Sequence, residues 1–343
     1  MEVVGSRDCF ICTGLMRKVP KMAESAVRKA SHYQFRTFAV GVSLPEGIQD
    51  REDELRSDLR LRGNETIKTQ TSRLVAAKIA SELDRRVDRL KPDLTLLIGL
   101  GTGEIAVSSR PVFLYGRYTK PPGITQRREL CPECRGKGCR KCRRSGFVRA
   151  PSVEEVLRKK LSSFMGSDVM TFTWLGSEDR SSIVFPPGRP FIAEVKCPVK
   201  RVSPHAFAAI CGGRRVVVSG CRMLKSKPTN LPSFRFKTKI FATAASKVHD
   251  KDMARLRETF RRREVRFDRP YDRPASKMVY SVDATVRGRA LAIRAELDGG
   301  LPVKRFVSGE LVSPSVSEVL KTEVRCRRFD ICRVTETRRF EIG

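Results

Sequence analysis

Around residue 36 the chain alternates apolar and polar positions through FRTFAVGVSL, the period of a half-buried strand. From Ile67 the spacing changes. Ile67, Leu74, Val75, Ile79, Leu83, Val87 and Leu90 share one face of a helix, and the charged SELDRR segment fills the other. Lys91-Pro92 ends that helix. LTLLIGL and EIAVSS then read as two strands joined at Gly101-Thr102-Gly103, followed by a third, PVFLYG. A glycine-rich turn after an apolar strand can open a cofactor-binding fold, but that site needs a helix next. Glu104 to Tyr115 is β-branched and aromatic with Pro111 inside, so a tight hairpin turn is the better account.

Residues 117–150 change character, with Pro121-Pro122-Gly123, four cysteines, and eight basic residues between Arg127 and Arg144 against Glu129 and Glu133. Ser152-Val-Glu-Glu155 is a capping box that starts a helix to about Ser163. Beyond it, RPFIAEV, RRVVVS, MVYSVDATV and RFVSG read as short strands, interrupted by a basic helical stretch from Lys251 to Arg269. The pattern is α+β, with a mixed or antiparallel sheet rather than a βαβ repeat. No solenoid period is visible.

Composition narrows the function classes. The 343 residues suit two domains, and 40 % apolar content is enough for real cores. Lys and Arg number 69 against 38 Asp and Glu, a formal charge of +31, which points to a polyanionic partner, nucleic acid above all. No run approaches the roughly 18 consecutive apolar residues of a membrane span. The start, MEVVGSRD, lacks a signal-peptide core, so a cytoplasmic protein is expected. His32, His205 and His249 lie far apart and make no catalytic cluster.

Eleven cysteines remain, six of them in CxxC pairs, which in a cytosolic chain read as metal ligands or redox pairs. Cys131, Cys134, Cys139 and Cys142 form two knuckles four residues apart, a thiolate set suited to tetrahedral zinc with no open position for chemistry. Gly136 and Gly138 let the chain turn back between the pairs. The first unit resembles the cysteine-rich CxxCxGxG repeat of the DnaJ chaperones. The second departs from it, with Arg144 where the glycine would stand. Cys9 and Cys12 are a lone pair, compatible with a second site, with extra ligands to the first, or with plain thiols.

Gly176-Ser-Glu-Asp179-Arg-Ser-Ser, followed by Gly188-Arg-Pro-Phe191-Ile-Ala-Glu194-Val, places an acidic pair in a polar loop that leads into a strand. On residue chemistry alone this is a solvated turn satisfied by nearby arginines. Yet GSEDRSS…GRPFIAEV resembles the catalytic motif of the archaeal tRNA pseudouridine synthase family that modifies positions 54 and 55. EDELRSDLRLRGNETIK, FLYGRYTKPPGITQ, the cysteine module, GGLPVKRFVSG and SPSVSEVL resemble further segments of that family, in order, over most of the chain.

The resemblance implies a THUMP-like α/β tRNA-binding domain over residues 1–118, a basic zinc-knuckle linker over 119–150, and a pseudouridine synthase domain over 151–343. It implies tRNA as partner, a structural zinc, no organic cofactor and no obligate protein partner. Asp179 matches the family's catalytic aspartate, and Lys304 its basic position, where a cation favours an ionised carboxylate. Phe241 stands where the superfamily usually has a base-stacking tyrosine, and Arg117, Lys120, Arg189 and Arg305 fall on substrate-binding segments. VRFDRPYDR follows the family pattern only loosely. Two other readings compete: a non-catalytic tRNA-binding or chaperone protein, and an RNA methyltransferase carrying a THUMP-like domain. Whether Asp179 attacks as nucleophile or acts as base, and which uridine is modified, stay open at this level.

Overall fold

The computed structural model describes residues 9–60, 63, 65–176, 178–228, 233–269 and 272–337. The opening MEVVGSRD, Ser177 of the acidic loop, and Pro270 and Tyr271 of VRFDRPYDR lie outside the described residues. Two compact units emerge, one of Met1–Val112 with Ser163–Val169 and Val195–Val202, the other of Phe113–Ser162, Met170–Glu194 and Ser203–Gly343.

In the first unit, α1 (Val19–Ser31), β1 (Thr37–Ser43), α2 (Ile48–Asp58), α3 (Ile67–Leu83), β2 (Arg86–Val87), β3 (Leu94–Gly99) and β4 (Ile105–Ser109) follow in order. The sheet runs β2-β1-β3-β4, with β1 parallel to both neighbours and β3 antiparallel to β4. Alternation decides which side faces the core: Leu94, Leu96 and Ile98 are fully buried, whereas Thr95 and Leu97 are exposed. Helix α1, which the pattern reading leaves out, buries Val19, Met22, Ala23, Ala26, Val27 and Ala30, the i, i+3, i+4, i+7 stripe of an amphipathic helix. Between β3 and β4 the chain turns as a hairpin, the Gly99 N–H donating to the Glu104 carbonyl at 2.8 Å. The turn leads into a strand, so no helix N-terminus stands there to receive a cofactor.

The second unit contains β5 (Val112–Lys120), α4 (Val153–Met165), β6 (Met170–Trp174), β7 (Val184–Val195), β8 (Phe207–Cys211), β9 (Arg214–Leu224) and β10 (Phe234–Ala244). These are followed by α5 (Asp250–Thr259), β11 (Arg263–Arg269), β12 (Asp272–Arg287), β13 (Ala290–Asp298), α6 (Val303–Ser308), β14 (Val312–Ser313), α7 (Val316–Leu320) and β15 (Val324–Glu336). One 11-stranded mixed sheet runs β14-β11-β12-β13-β10-β15-β7-β5-β9-β8, with β6 beside β7. Because β5 pairs with β9 inside this sheet, the units part at Val112–Phe113, ahead of the expected residue 118. The α+β architecture with a mixed sheet is as the pattern implied. No helix among the described residues is long and apolar enough to cross a membrane.

Three expectations need correction. The helix from Ile67 stops at Leu83, where Asp84 turns left-handed at φ 51°, and Arg86–Val87 pairs with Thr37–Phe38 instead. Val87 and Leu90, which continue the helical spacing, are 48 % and 92 % exposed. The basic stretch from Lys251 is helical only to Thr259. Past a left-handed Arg262 it becomes β11, whose alternate Val265 and Phe267 are buried against the sheet. RFVSG is not a strand but the end of α6, where the Phe306 N–H donates to Pro302 and Gly309 closes the helix at φ 85°.

Candidate active site and metal centre

The acidic loop is held from below by a buried charge cluster. On β5, Gly116, Tyr118 and Lys120 share the inward face, two residues apart. This puts the Lys120 ammonium beneath the 176–183 loop, where it donates to the carbonyls of Asp179 at 3.1 Å and Ser182 at 2.7 Å. It also pairs with Glu178 Oε1 at 3.7 Å, and both side chains are completely buried. Arg189 on β7 approaches the other carboxylate oxygen at 3.3 Å, donates to the Leu175 carbonyl at 3.1 Å, and lies over the Phe236 ring. Burial pulls the Lys120 ammonium below its usual range, with Glu178 acting the other way. Gln126 completes the underside, bridging the Tyr118 hydroxyl at 2.9 Å and the Gly176 carbonyl at 3.3 Å. Gly176, at φ 93°, sits so near the Arg189 guanidinium that a Cβ there would clash with it.

On the outer side of this loop Asp179 faces Lys304, whose Nζ lies 2.8 Å from Oδ2. The pair is partly open to solvent, Asp179 28 % and Lys304 53 % exposed. Cys326 on β15 lies within electrostatic reach of both, and burial foremost pushes its thiol up to about 11. One step along the β10–β15 register, Phe241 opposes Arg328, and the guanidinium sits 4.7 Å from the ring centroid with Lys239 at 5.1 Å. Arg328 in turn pairs with the buried Asp330 at 3.1 Å, and Asp330 accepts the Ile183 N–H at 2.9 Å. Aspartate loop, α6 lysine and aromatic strand are thereby joined through β15.

The other singled-out residues fall elsewhere. Lys120 and Arg189 are buried under the loop, not exposed on the surface. Arg117 spans strands, donating to the carbonyls of Gly188 and Val334 at 3.2 and 3.1 Å. Successive residues of α6 point about 100° apart. Lys304 therefore meets Asp179, while Arg305 donates to the carbonyls of Glu310 and Asp268. Gln126 and Arg328 escaped the residue-by-residue reading, and Glu178 entered it only as half of the acidic pair, not as a buried anchor. Their roles depend on partners far away in sequence, although Gln126 lies inside the quoted GITQ segment.

Cys131, Cys134, Cys139 and Cys142 converge with all four sulfurs within 4.8 Å of one another. Their closest Sγ···Sγ separations are 3.7, 3.8 and 3.8 Å. A tetrahedron of thiolates about 2.3 Å from a zinc ion has edges of about 3.8 Å, so the set fits that metal. Backbone N–H groups aim at the sulfurs: Gly138 donates to Cys134 at 3.2 Å, and Cys139 and Gly146 donate to Cys142 at 3.1 and 3.3 Å. Chiefly through the Cys139 N–H, the Cys142 thiol is drawn down to about 6. Cys12 packs in the core of the first unit, and among the described residues Cys9 and Cys12 gather no third ligating side chain.

The buried cluster and the surface pair predict stability losses of different size. Glu178→Gln strips the carboxylate from between two buried cations and should cost about 3–5 kcal/mol in denaturant unfolding. Lys304→Met breaks a pair at the surface and should stay within about 1 kcal/mol. Equal losses would contradict the burial pattern.

Comparison with known proteins gives this geometry a family. Residues 22–99 match the family described as the Pus10 THUMP domain, archaeal. The chain is 32 % identical to the tRNA pseudouridine synthase Pus10 of Cenarchaeum symbiosum (strain A), over 96 % of this chain and 82 % of that protein. It is 28 % identical to the Pus10 of Nitrosopumilus maritimus, with 95 % and 85 % covered, and 29 % identical to that of Methanocaldococcus jannaschii, with 99 % and 78 % covered. Such similarity along nearly the whole length, with a THUMP match in the first unit, means that the chain belongs to the archaeal Pus10 family of tRNA pseudouridine synthases.

Proposed function

We propose that this chain, in the cytoplasm, isomerises uridine to pseudouridine in the TΨC arm of tRNA, at position 54, 55 or both, with Asp179 as the catalytic carboxylate. The observation that carries the reading is the Asp179–Lys304 contact of 2.8 Å on a loop whose backbone is fixed by buried Lys120. Isomerisation breaks the N1–C1′ bond of uridine, turns the uracil and joins C5 to C1′, while the C5 proton is lost and N1 gains one. The balance needs no redox partner. A carboxylate acting on the ribose or base as nucleophile or general base suffices, and Lys304 aims and compensates that charge. The target uridine sits in a folded loop, so it must be flipped out and held. Phe241 offers the stacking surface, where a uracil would take the place of one of the two cations now beside the ring.

In this reading the first unit, expected over residues 1–118 and ending at Val112 in the fold, grips the tRNA, residues 151–343 together with β5 carry the chemistry, and the cysteine module holds a zinc ion. A closed four-thiolate zinc supplies structure and no reaction step.

Asp179→Asn keeps the shape and removes the charge. Mapping of pseudouridine in unmodified tRNA transcripts should show no product, with tRNA affinity within about twofold of the parent, as for a group acting in the chemical step. Product formed at the parent rate would defeat the assignment. Phe241→Ala should lose the about 1–3 kcal/mol that base stacking contributes, while Phe241→Tyr stays active. Elemental analysis should find one zinc per chain, reduced in Cys134→Ser, whose knuckle loses one of the ligands on which the module's folding depends. Metal-free protein with full activity and unchanged melting would rule the zinc out.

A further inference from the structure

The cysteine knuckles carry more charge than their fold needs, in backbone positions that disfavour it. Arg135, Arg143 and Arg144 adopt left-handed conformations at φ 47°, 51° and 62°. An L residue costs roughly 1–2 kcal/mol there, and glycine is free of that cost. In the equivalent place of the first knuckle the chain has Gly136, at φ 97°, where the second has Arg144. The two tips also crowd each other. A Cβ on Gly138 would lie 2.8 Å from the Arg144 carbonyl oxygen, and one on Gly146 2.5 Å from that of Gly136. Six exposed cations, Arg135, Lys137, Arg140, Lys141, Arg143 and Arg144, therefore share a small module. Lys141 pairs with Glu133, and the other five side chains pair with nothing among the described residues.

A merely solvated surface has no use for arginine at strained positions, nor for six like charges gathered around the single carboxylate of Glu133. A polyanion supplies the missing countercharge. Phe147, the aromatic ring of the module, is already covered by Arg128 at 3.9 Å, so base stacking is not what the module offers. We propose that the paired knuckle tips are a docking surface for the phosphate backbone of tRNA, gripping it irrespective of base sequence. The inference rests on tRNA being the substrate but not on Asp179 being the catalytic group.

The test measures equilibrium binding of an unmodified tRNA transcript to the full-length zinc-loaded chain over a salt series. The triple variant Arg135→Gly, Arg143→Gly, Arg144→Gly removes three charges while relieving the strain, so metal content and melting temperature should not fall. Its affinity should drop about tenfold at 0.15 M salt, and its log–log salt slope should shrink by about 2, given roughly 0.7–0.9 per phosphate contact. The corresponding triple lysine variant keeps the charges and should bind within about twofold of the parent. Should the glycine variant lose its zinc, Lys137→Gln with Arg140→Gln, two cations outside the left-handed positions, gives the same readout with a slope change of about 1–2. Zinc-loaded variants with unchanged affinity and slope overturn the proposal, as does a lysine variant as weak as the glycine one. Binding is read without turnover, so an inactive Asp179→Asn chain gives the same answer. Failure here is thereby separable from failure of the catalytic assignment.

Discussion

Two cations and one carboxylate, sealed from water beneath an eight-residue loop, are the constraint on which the second unit depends. Isolated, each of the three would be prohibitively expensive to bury. Lys120 comes from β5, Arg189 from β7 and Glu178 from the loop itself, so the cluster is satisfied only when both strands lie side by side with the loop folded over them. The same ammonium that meets Glu178 also takes the Asp179 carbonyl, so charge neutralisation underneath fixes the backbone of the acid on top. Two adjacent carboxylates thus acquire opposite surroundings. One is locked inside as an anchor, and the other remains at the surface within reach of a single lysine.

How far this was legible in the sequence depends on how local each feature is. The cysteine centre could be read outright, because all four ligands lie within twelve residues and their spacing dictates the geometry. The β3–β4 hairpin was equally plain, its flanks being unmistakably strand-like. The helix ends were not, since Val87 and Leu90 keep the helical period while the backbone is captured by β1, a neighbour some fifty residues earlier. Lys120 was nearly readable: alternation through Gly116 and Tyr118 turns it inward. That an inward lysine would find Glu178, however, depends on a pairing that no local pattern encodes. The acidic loop, taken on its own, read as a solvated turn, whereas the structure buries its Glu178 side chain between Lys120 and Arg189.

Phe241 lies beside two cations, Lys239 on its own strand and Arg328 on the next. A phenyl ring keeps the stacking face of tyrosine and gives up its hydroxyl. Arg328 on β15, held by Asp330, occupies the polar side of this neighbourhood, so the β10–β15 pair presents both an apolar plate and a donor without requiring them on one side chain.

The place of β15 in the sheet has a consequence for the order of assembly. It lies between β10 and β7, paired along nearly its whole length with the former and through Ile331 and Val184 with the latter. The aromatic strand and the aspartate-loop strand therefore meet only across a segment that follows both by eighty residues or more. Contacts of such separation close late, because the intervening loop must first surrender its entropy. As the chain grows, the cysteine module and the β8–β9 hairpin can settle early from local contacts, while β7 and β10 stay apart. The neighbourhood that joins the Asp179–Lys304 pair to Phe241 is in this sense a property of the finished sheet, whereas the charge of the cysteine module is in place long before it.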